Sequence, residues 1–297
     1  MSIFQSALPF LANGLSLGLS IALAALAMAL IWRVVGMIDF GLGAVYLVSA
    51  YALLGLHTAL GFSLPLAILG ALACGIAAAI LIYGLVYRHF IRRNAPLFVM
   101  VLVGLSLFLA IENLLGAALS SQKFYVIDAL LPGVDVLGTR LNVAQFGKMA
   151  VSLAALAGIA FFCLRTAPGT MILAVADNKR LALGVGIDVD HAYVWTYGLA
   201  GLMVSAAAIP DVAESGVDPY VALNPVLLAL AAIIIGGLGS FRAPVLGAVL
   251  LGLAFHLAVW LFPASWQEVI AYGLVVAVLI VRPQGLFGAF HAARERA

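Results

Sequence analysis

Nine long apolar runs, separated by short stretches that hold most of the charges, dominate this sequence. A helix needs about 20 consecutive apolar residues to span a bilayer, and most of these runs reach that length. Since 66% of the 297 residues are hydrophobic and only 9% are charged, a water-soluble fold could not cover its surface with polar groups. We therefore predict one transmembrane domain over residues 1–297. The runs are residues 8–32, 34–60, 62–87, 96–119, 143–164, 192–209, 220–241, 244–262 and 269–281.

The predicted fold is an all-α membrane bundle of about eight to nine transmembrane helices, because no run alternates as a strand does. Two runs, residues 34–60 and 220–241, are dense in glycine and proline, which predicts discontinuous or re-entrant helices. One lies in each half of the chain after a preceding span, a pattern typical of transporters built from two related halves. The interrupting residues are Gly36, Asp39, Gly41 and Gly43, then Pro225, Gly236, Gly237 and Gly239.

The basic residues fall mainly on one side of this topology. With the N-terminus outside and every run crossing, eleven of the fourteen Lys and Arg residues face the side that the positive-inside rule assigns to the cytoplasm. The other side receives only Lys123, Arg140 and Lys148, together with several acids. We therefore expect a cytoplasmic C-terminus.

Several function classes are poorly supported. The net charge is only +2 and no basic run is interleaved with aromatic residues, so no nucleic acid is expected as a partner. Cys74 and Cys163 lie apart in apolar runs, and the five histidines share no ligand spacing, so no metal is expected. No Ser/His/Asp or paired-carboxylate pattern occurs, and no glycine-rich stretch ends in the Gly-Lys-Ser/Thr of a phosphate loop. The chain is thus not expected to be an enzyme, to bind a cofactor or to hydrolyse ATP.

Asp39 is a candidate residue of a transport pathway. A carboxylate costs about 2.5–3.5 kcal/mol at the centre of a membrane helix, so it normally faces protein or water. The alternative is that Asp39 lies near the cytoplasmic interface, close to Arg33, and caps the following helix. Gly41 and Gly43 would allow the backbone to approach a ligand or another helix.

Glu112, beside Asn113 in the fourth run, is the most deeply placed ionisable residue. It serves either the pathway or a structural hydrogen bond to a neighbouring helix, and burial without a cation would favour its protonated form. The glycine-rich stretch from Gly236 to Gly247, which includes Ser240, either separates two half-helices or permits close packing, as does the small-residue spacing of Gly14 and Gly18.

Residues 165–191 form a predicted cytoplasmic loop with one short amphipathic helix between Pro168 and Gly184. Met171, Val175, Asn178 and Ala182 share one face at helical spacing. The helix is too short to span the membrane. It either lies on the lipid surface or docks into a cytoplasmic partner as a lever.

At these segments the sequence resembles the membrane permease subunits of bacterial ABC importers for branched-chain amino acids. The family has an Ile-Asn-Phe-Ala-His-Gly stretch followed by Gly-Ala-Tyr, a helix ending in Leu-Gly-Ile, a Gly-Gly-Leu-Gly-Ser stretch and the ending Arg-Pro-Gln-Gly-Leu-Phe-Gly. The corresponding residues here are 38–43 with 49–51, 183–187, 236–240 and 282–288, in the same order along nearly the whole chain.

The resemblance implies a permease of the bacterial plasma membrane, with a second permease subunit, two ATPase subunits that hydrolyse ATP, and a periplasmic or extracellular substrate-binding protein. Residues 171–184 would be the coupling helix that the ATPases push. The candidate coupling residues are Gly169, Ala174, Asp177, Asn178, Ala182 and Gly184. The candidate pathway residues are Asp39, Gly41, Gly43, Glu112, Asn113, Gly236, Gly237, Gly239 and Ser240.

Departures from the family pattern leave the substrate open. Asp39 replaces the usual Asn, Leu42 replaces the usual His or Gln, and Leu173 stands where Arg is common. The expected substrates are therefore branched-chain amino acids or related small polar metabolites. The rival hypotheses are an ion-coupled secondary transporter that uses Asp39 or Glu112, and a membrane scaffold without transport activity.

Overall fold

Seven helices in the part of the chain that the structure describes are long and apolar enough to cross a membrane. The computed structural model describes residues 3–119, 122–126, 133–136 and 139–287. By length and composition the candidate spans are Leu8–Val35, Leu42–Ala59, Leu64–Arg92, Leu97–Leu119, Gln145–Arg165, Val189–Ser215 and Arg242–Leu261.

The helices are numbered in chain order, and two of the spans include a single π-helical turn, at Gly55–Ala59 and Tyr83–Tyr87. A 3-10 turn, Ala264–Trp266, precedes the last helix. The helices are α1 (Ile3–Val35), α2 (Leu42–Leu54), α3 (Leu64–Ile82), α4 (Arg88–Arg92), α5 (Leu97–Leu119), α6 (Val143–Arg165), α7 (Ala167–Asp177), α8 (Lys179–Gly184), α9 (Val189–Ser215), α10 (Leu223–Gly236), α11 (Arg242–Leu261) and α12 (Gln267–Val281).

Every apolar run of the sequence overlaps one of these helices. The predicted fold class, an all-α polytopic bundle, is therefore confirmed. The runs at residues 220–241 and 269–281 are the exceptions in length, since α10 has 14 residues and α12 has 15. At 1.5 Å per residue they measure about 21 and 23 Å, short of a hydrocarbon core about 30 Å thick. The bundle therefore combines seven long helices with two shorter ones.

The two glycine-rich interruptions fall between consecutive helices rather than inside a span. Residues 36–41 link α1 to α2, and Gly36 has a φ of +89°, which only glycine adopts readily. Gly237, with a φ of +97°, ends α10 and starts the turn into α11. Pro225 lies in the first turn of α10, where a missing N–H breaks no intrahelical bond.

The centre of the bundle is α1, because its small residues let other helices approach closely. Of its apolar window, 83% is buried, compared with 17% for α5 and α6. A Cβ on Gly14 would lie 2.9 Å from the Gly252 carbonyl oxygen, and one on Gly18 would lie 2.9 Å from Val249 Cα. The spacing of Gly14 and Gly18 thus packs α1 against α11, as small-residue patterns do in membranes.

A short β-hairpin was not expected from the sequence. Strand β1 (Gly133–Val136) pairs antiparallel with β2 (Thr139–Asn142), with Gly133 opposite Asn142. Each strand has four residues, too few to give a periodic signal. The hairpin precedes α6 directly and leaves the helical class unchanged.

Candidate functional site

Asp39 lies in the linker between the first two membrane spans and is almost completely buried, with 1% exposed. Its Oδ1 accepts a hydrogen bond from the Gly41 N–H at 2.6 Å and another from the Tyr87 hydroxyl. Burial raises the pKa of Asp39 to about 6, and the two hydrogen bonds limit the increase. The side chain therefore ties the start of α2 to the helix that carries Tyr87.

The hydrogen bond to Gly41 shows that Asp39 lies at the start of α2 but does not cap this helix in the usual way. A capping side chain accepts from the second or third residue of its helix, whereas Gly41 is itself the N-cap of α2. Asp39 instead closes a turn onto the N–H two residues later, as Asx turns do. The close fit depends on glycines: a Cβ on Gly41 would lie 2.8 Å from Asp39 Oδ1, and one on Gly104 of α5 would lie 3.1 Å from the same atom.

A column of buried tyrosines leads from this carboxylate toward the loop of residues 165–191. Tyr87 stacks on Tyr197 with ring centroids 5.7 Å apart, and Tyr197 stacks on Tyr83 at 4.9 Å. Tyr83 meets the edge of Tyr193 at 6.1 Å, and the Lys179 ammonium of α8 lies 5.4 Å from the Tyr193 centroid. Sequence analysis missed these residues, although each pair is spaced four apart on its helix, a signal for neighbours on one face.

Glu112 and Asn113 are adjacent in sequence, but their side chains lie in different environments. Glu112 is 5% exposed, and its Oε2 has no hydrogen-bond partner within the described ranges. Asn113 is exposed, and its Nδ2 donates to the Leu109 carbonyl of its own helix at 2.7 Å. Neither residue hydrogen-bonds to Asp39 in the structure, so a common pathway role for the three stays a prediction.

The Gly236–Ser240 stretch packs against the C-terminal motif. The Leu286 N–H donates to the Ile235 carbonyl at 2.8 Å, and the Phe287 N–H donates to the Gly236 carbonyl at 3.0 Å. A Cβ on Gly236 or Gly247 would clash with the facing backbone. Gly239 lies in the same turn, and Ser240 Oγ accepts from the N–H of residue 243, in the first turn of α11, at 3.2 Å. Two motifs that are far apart in sequence are thus hydrogen-bonded to each other through their backbones. The last residue of the C-terminal motif, Gly288, lies outside the described residues.

The prediction of a single helix between Pro168 and Gly184 is wrong: the structure has two helices, α7 and α8, with a break at Asn178. Asn178 has extended backbone angles, and its Oδ1 accepts from the Leu181 N–H at 3.0 Å, so it caps α8. Pro168 lies within the first turn of α7, whose cap is Thr166. A short polar residue that satisfies the new helix start explains the break.

The candidate coupling residues occupy both faces of this helix pair. Gly169 is buried at the turn from α6, where its Cβ would lie 2.6 Å from Cys163 Cα. Ala182 is 3% exposed, and Ala174 is half-buried. The exposed candidates are Asp177, Asn178 and Gly184.

Arg33 connects the end of α7 to both glycine-rich linkers. Its guanidinium donates to Asp177 Oδ1 at 3.1 Å and lies 4.1 Å above the centre of the Phe241 ring. Arg33 is in the last turn of α1, directly before the Asp39 linker, and Phe241 directly follows Ser240. A basic residue is also favourable at a helix C-terminus.

A buried ion cluster lies toward the other end of the bundle, and sequence analysis missed it. Lys148 of α6 is 8% exposed; its ammonium contacts the Asp211 carboxylate of α9 and lies 3.7 Å from Glu214. Asp211 also accepts from Ser20 at 2.9 Å and from Tyr46 at 3.3 Å. The signal was the placement of Lys148 inside an apolar run, since ionisable residues in spans are often functional.

Possible metal ligands lie apart in the part of the chain that the structure describes. No three His, Cys, Asp or Glu side chains there come close enough together to hold a metal ion. Cys74 and Cys163 are free thiols.

Long apolar helices, glycine-lined crossings and buried ionisable side chains define a helical integral membrane protein. The comparison with known proteins identifies the family: residues 10–279 match the family described as "Branched-chain amino acid transport system / permease component", and the chain belongs to it.

Individual relatives agree with this assignment. The chain is 28% identical to the high-affinity branched-chain amino acid transport system permease protein BraD of Pseudomonas aeruginosa, over 94% of each chain. It is 26% identical to the LivH permease protein of Escherichia coli, over 93% of this chain and 94% of LivH. The solved structure of PsaBC from Streptococcus pneumoniae in complex with Fab shares the fold, with a TM-score of 0.53, 18% identity and coverage of 93% and 92% of the two chains.

Proposed function

We propose that this chain is the permease subunit of an ATP-driven ABC importer for branched-chain amino acids or related small polar metabolites. It forms part of the translocation pathway with a second permease subunit. Two separate ATPase subunits bind and hydrolyse ATP, and a binding protein outside the membrane delivers the substrate. The chain itself carries no ATP-binding motif. Its C-terminus lies in the cytoplasm, where most of the basic residues fall.

The observation that carries this proposal is the junction at Arg33. The end of α7 is linked through this one side chain to the end of α1 and to the turn before α11. A displacement of α7 by a partner would therefore act on both glycine-rich linkers at once. The two linkers are the points where the consecutive helices can change angle.

The surface of α8 supports a docking role. Leu181, Leu183 and Val185 are 66%, 54% and 71% exposed, and Arg180 is exposed beside them. Apolar side chains clustered at an exposed loop, rimmed by polar residues, are typical of protein interfaces. The buried face of α7, with Ile172 fully covered, packs on the bundle, so the pair has one face for the bundle and one for a partner.

In the proposed cycle, ATP binding closes the two partner ATPases against each other and moves α7 and α8. The motion passes through Arg33 to α1 and α11, and the tyrosine column passes a parallel displacement from α8 to Asp39. The helices around the pathway then alternate between outward and inward opening. Glycine at positions 36 and 237 permits the backbone angles that the linkers require.

The test compares two equivalent substitutions in the importer reconstituted with its partners in proteoliposomes. Leu183→Glu places a charge on the exposed face of α8, whereas Leu60→Glu makes the same change at a residue 64% exposed in the loop after α2. We expect Leu183→Glu to abolish co-purification of the ATPases and ATP-driven uptake, and Leu60→Glu to leave co-purification unchanged. Normal co-purification and uptake in Leu183→Glu would refute the docking role. Uptake that survives ATP depletion but collapses with an uncoupler would refute the importer and favour the ion-coupled transporter.

A further inference from the structure

A cavity of about 510 Å³ lies between α1, α6, α7, α9 and α11, at the end of the bundle that holds the junction at Arg33. Its floor is formed by side chains that are almost fully covered, among them Leu30 and Met203 at 1% exposed each. Its rim is formed by Leu164 and Leu246, which are 68% and 47% exposed. The cavity is therefore a groove that opens on the side of the bundle.

The groove has nearly the depth of one leaflet of a bilayer. Along α6 it runs from Leu156 to Leu164, a rise of about 12 Å at 1.5 Å per residue. The hydrocarbon core of a bilayer is about 30 Å thick, so one leaflet is about 15 Å deep. Leu164 lies one residue before the end of its candidate span, and Arg242 is the first residue of another, so the groove reaches the membrane boundary there. One acyl chain of a lipid fits this depth.

The wall of the groove is hydrophobic apart from one cation. Among the described residues that line it, Arg242 alone is charged. This arginine is exposed, and in the part of the chain that the structure describes it forms no ion pair with an Asp or Glu side chain. A guanidinium binds phosphate oxygens through two parallel hydrogen bonds. The groove thus offers an apolar slot for a chain and a phosphate-binding group at its mouth.

The electrostatic balance at this mouth is positive. Arg33 lies 4.1 Å above the centre of the Phe241 ring, which lines the groove, but its charge is paired with Asp177 at 3.1 Å. Arg242 is not balanced in this way, and the N-terminus of α11, where it lies, adds a partial positive charge. Arg165, the last residue of α6, is a second exposed cation at the same end. An anionic group is therefore favoured at the mouth.

A second cavity along α6 provides a comparison within the same molecule. It measures about 620 Å³ and lies between α3, α6 and α9. Its described lining is also hydrophobic, but it contains no charged side chain. An acyl chain would fill either cavity, because an apolar wall without partner atoms loses its van der Waals contacts. The groove at Arg242 differs from the second cavity in having a group that can select the headgroup.

We propose that the groove binds one acyl chain of an anionic phospholipid of the bilayer, with the Arg242 guanidinium holding the lipid phosphate. Basic pockets between membrane helices are typical sites for anionic headgroups. The bound chain covers Phe241 and Leu173, so it packs directly against the junction that joins α7 to α1 and to the turn before α11. This binding goes beyond the proposed transport function and requires no particular substrate.

The test titrates the purified full chain in detergent with phosphatidylglycerol and, in a separate series, with phosphatidylcholine of the same acyl chains. Native mass spectrometry counts the bound lipids and gives the Kd of each. We expect one phosphatidylglycerol to bind at least about fivefold more tightly than phosphatidylcholine, the preference that one basic residue gives near a membrane surface.

Two pairs of variants locate the site. Arg242→Gln should remove the preference for phosphatidylglycerol, whereas Arg93→Gln, at an exposed arginine outside the groove, should keep it. Ala160→Phe fills the groove and should remove the tight site. Its matched control is Ala157→Phe, the same change at an exposed residue of α6 that lines neither cavity, and it should keep the tight site.

Several results would overturn the assignment. Equal affinity for the two lipids would do so, as would an unchanged preference in either Arg242→Gln or Ala160→Phe. Displacement of phosphatidylglycerol by glycerol phosphate, which has the charge but no chain, would indicate a site for soluble phosphate instead. The titration is repeated on the chain assembled with its partner subunits, and loss of the tight site there would show that a protein segment, not a lipid, covers the groove.

Discussion

Replacing Asp39 separates a structural role of its carboxylate from a role in carrying charge. Its Oδ1 accepts from the Gly41 N–H and the Tyr87 hydroxyl at a position that is 1% exposed. Each buried donor left without a partner costs about 1–3 kcal/mol. Asp39→Leu removes the acceptor from both donors, so we expect the free energy of unfolding to fall by about 2–6 kcal/mol at about pH 4, where the buried carboxyl is protonated and the substitution relieves almost no buried charge.

Asp39→Asn keeps Oδ1 as an acceptor and removes the buried charge. Burial raises the pKa of Asp39 from 3.8 to about 6, which corresponds to a cost of about 3 kcal/mol for the charged form at neutral pH. The new amide replaces Oδ2, which has no partner in the described ranges, at a cost of about 1–3 kcal/mol. We therefore expect Asp39→Asn at pH 7 to be between equally stable and about 2 kcal/mol more stable than the wild type.

The assay is unfolding of the purified chain by SDS in mixed micelles, followed by far-UV circular dichroism. Because the folded pKa of Asp39 is above the unfolded value, the folded state binds more protons between about pH 4 and 6, and wild-type stability should fall as the pH rises through this window. That contribution should be absent in Asp39→Asn. Wild-type stability of Asp39→Leu at about pH 4 would refute the role of the two hydrogen bonds. A well-folded Asp39→Asn without uptake would show that the charge itself is required.

Three further predictions concern packing and coupling. Gly18→Ala should destabilise the chain by about 1–2 kcal/mol in the same unfolding assay, because its Cβ would lie 2.9 Å from Val249 Cα. The control is Gly273→Ala, which has nothing within 4 Å of its Cβ and should be neutral or stabilising by about 0.5–1 kcal/mol. Equal effects of the two substitutions would contradict the close crossing of α1 and α11. Gly237→Ala should cost about 1–3 kcal/mol because of its φ of +97°, and a neutral result would contradict that backbone angle. Arg33→Ala should reduce ATP-driven uptake severalfold in proteoliposomes while ATPase co-purification persists; unchanged uptake would remove the junction from the coupling route.

The apolar runs predicted the membrane helices because hydropathy is a local property of the sequence. Each run overlaps a helix, but the glycine-rich interruptions predicted inside two runs lie between consecutive helices instead, and Pro225 lies in the first turn of α10. The short lengths of α10 and α12 are harder to predict from the sequence, because apolar residues outside the hydrogen-bonded helices obscure where each helix begins and ends. The break at Asn178 has a local cause, because its side chain caps α8. The helical spacing of the apolar residues continues across Asn178, so the spacing alone does not reveal the break.

The partners of the ionisable residues could not be predicted in the same way. Asp39 bonds to a tyrosine 48 residues away, and Lys148 pairs with Asp211 on α9, which follows the loop of residues 165–191. Such contacts depend on how the helices are arranged, and a single sequence carries no direct record of that arrangement. The sequence does show where a charge is out of place in an apolar run, which is why Asp39 and Glu112 were singled out while their neighbours were not.

Two helices reach both the junction at Arg33 and the Lys148 ion cluster. On α1, Arg33 and Ser20 are 13 residues apart, about 20 Å along the axis. On α9, Tyr197 of the tyrosine column and Asp211 are 14 residues apart, about 21 Å. Helix α1 is buried over most of its apolar window, which resists bending, whereas Pro210 lies inside α9 directly before Asp211 and removes a backbone N–H there. A displacement of α7 that α1 follows would therefore shift Ser20 relative to Asp211 and change the hydrogen bond between them.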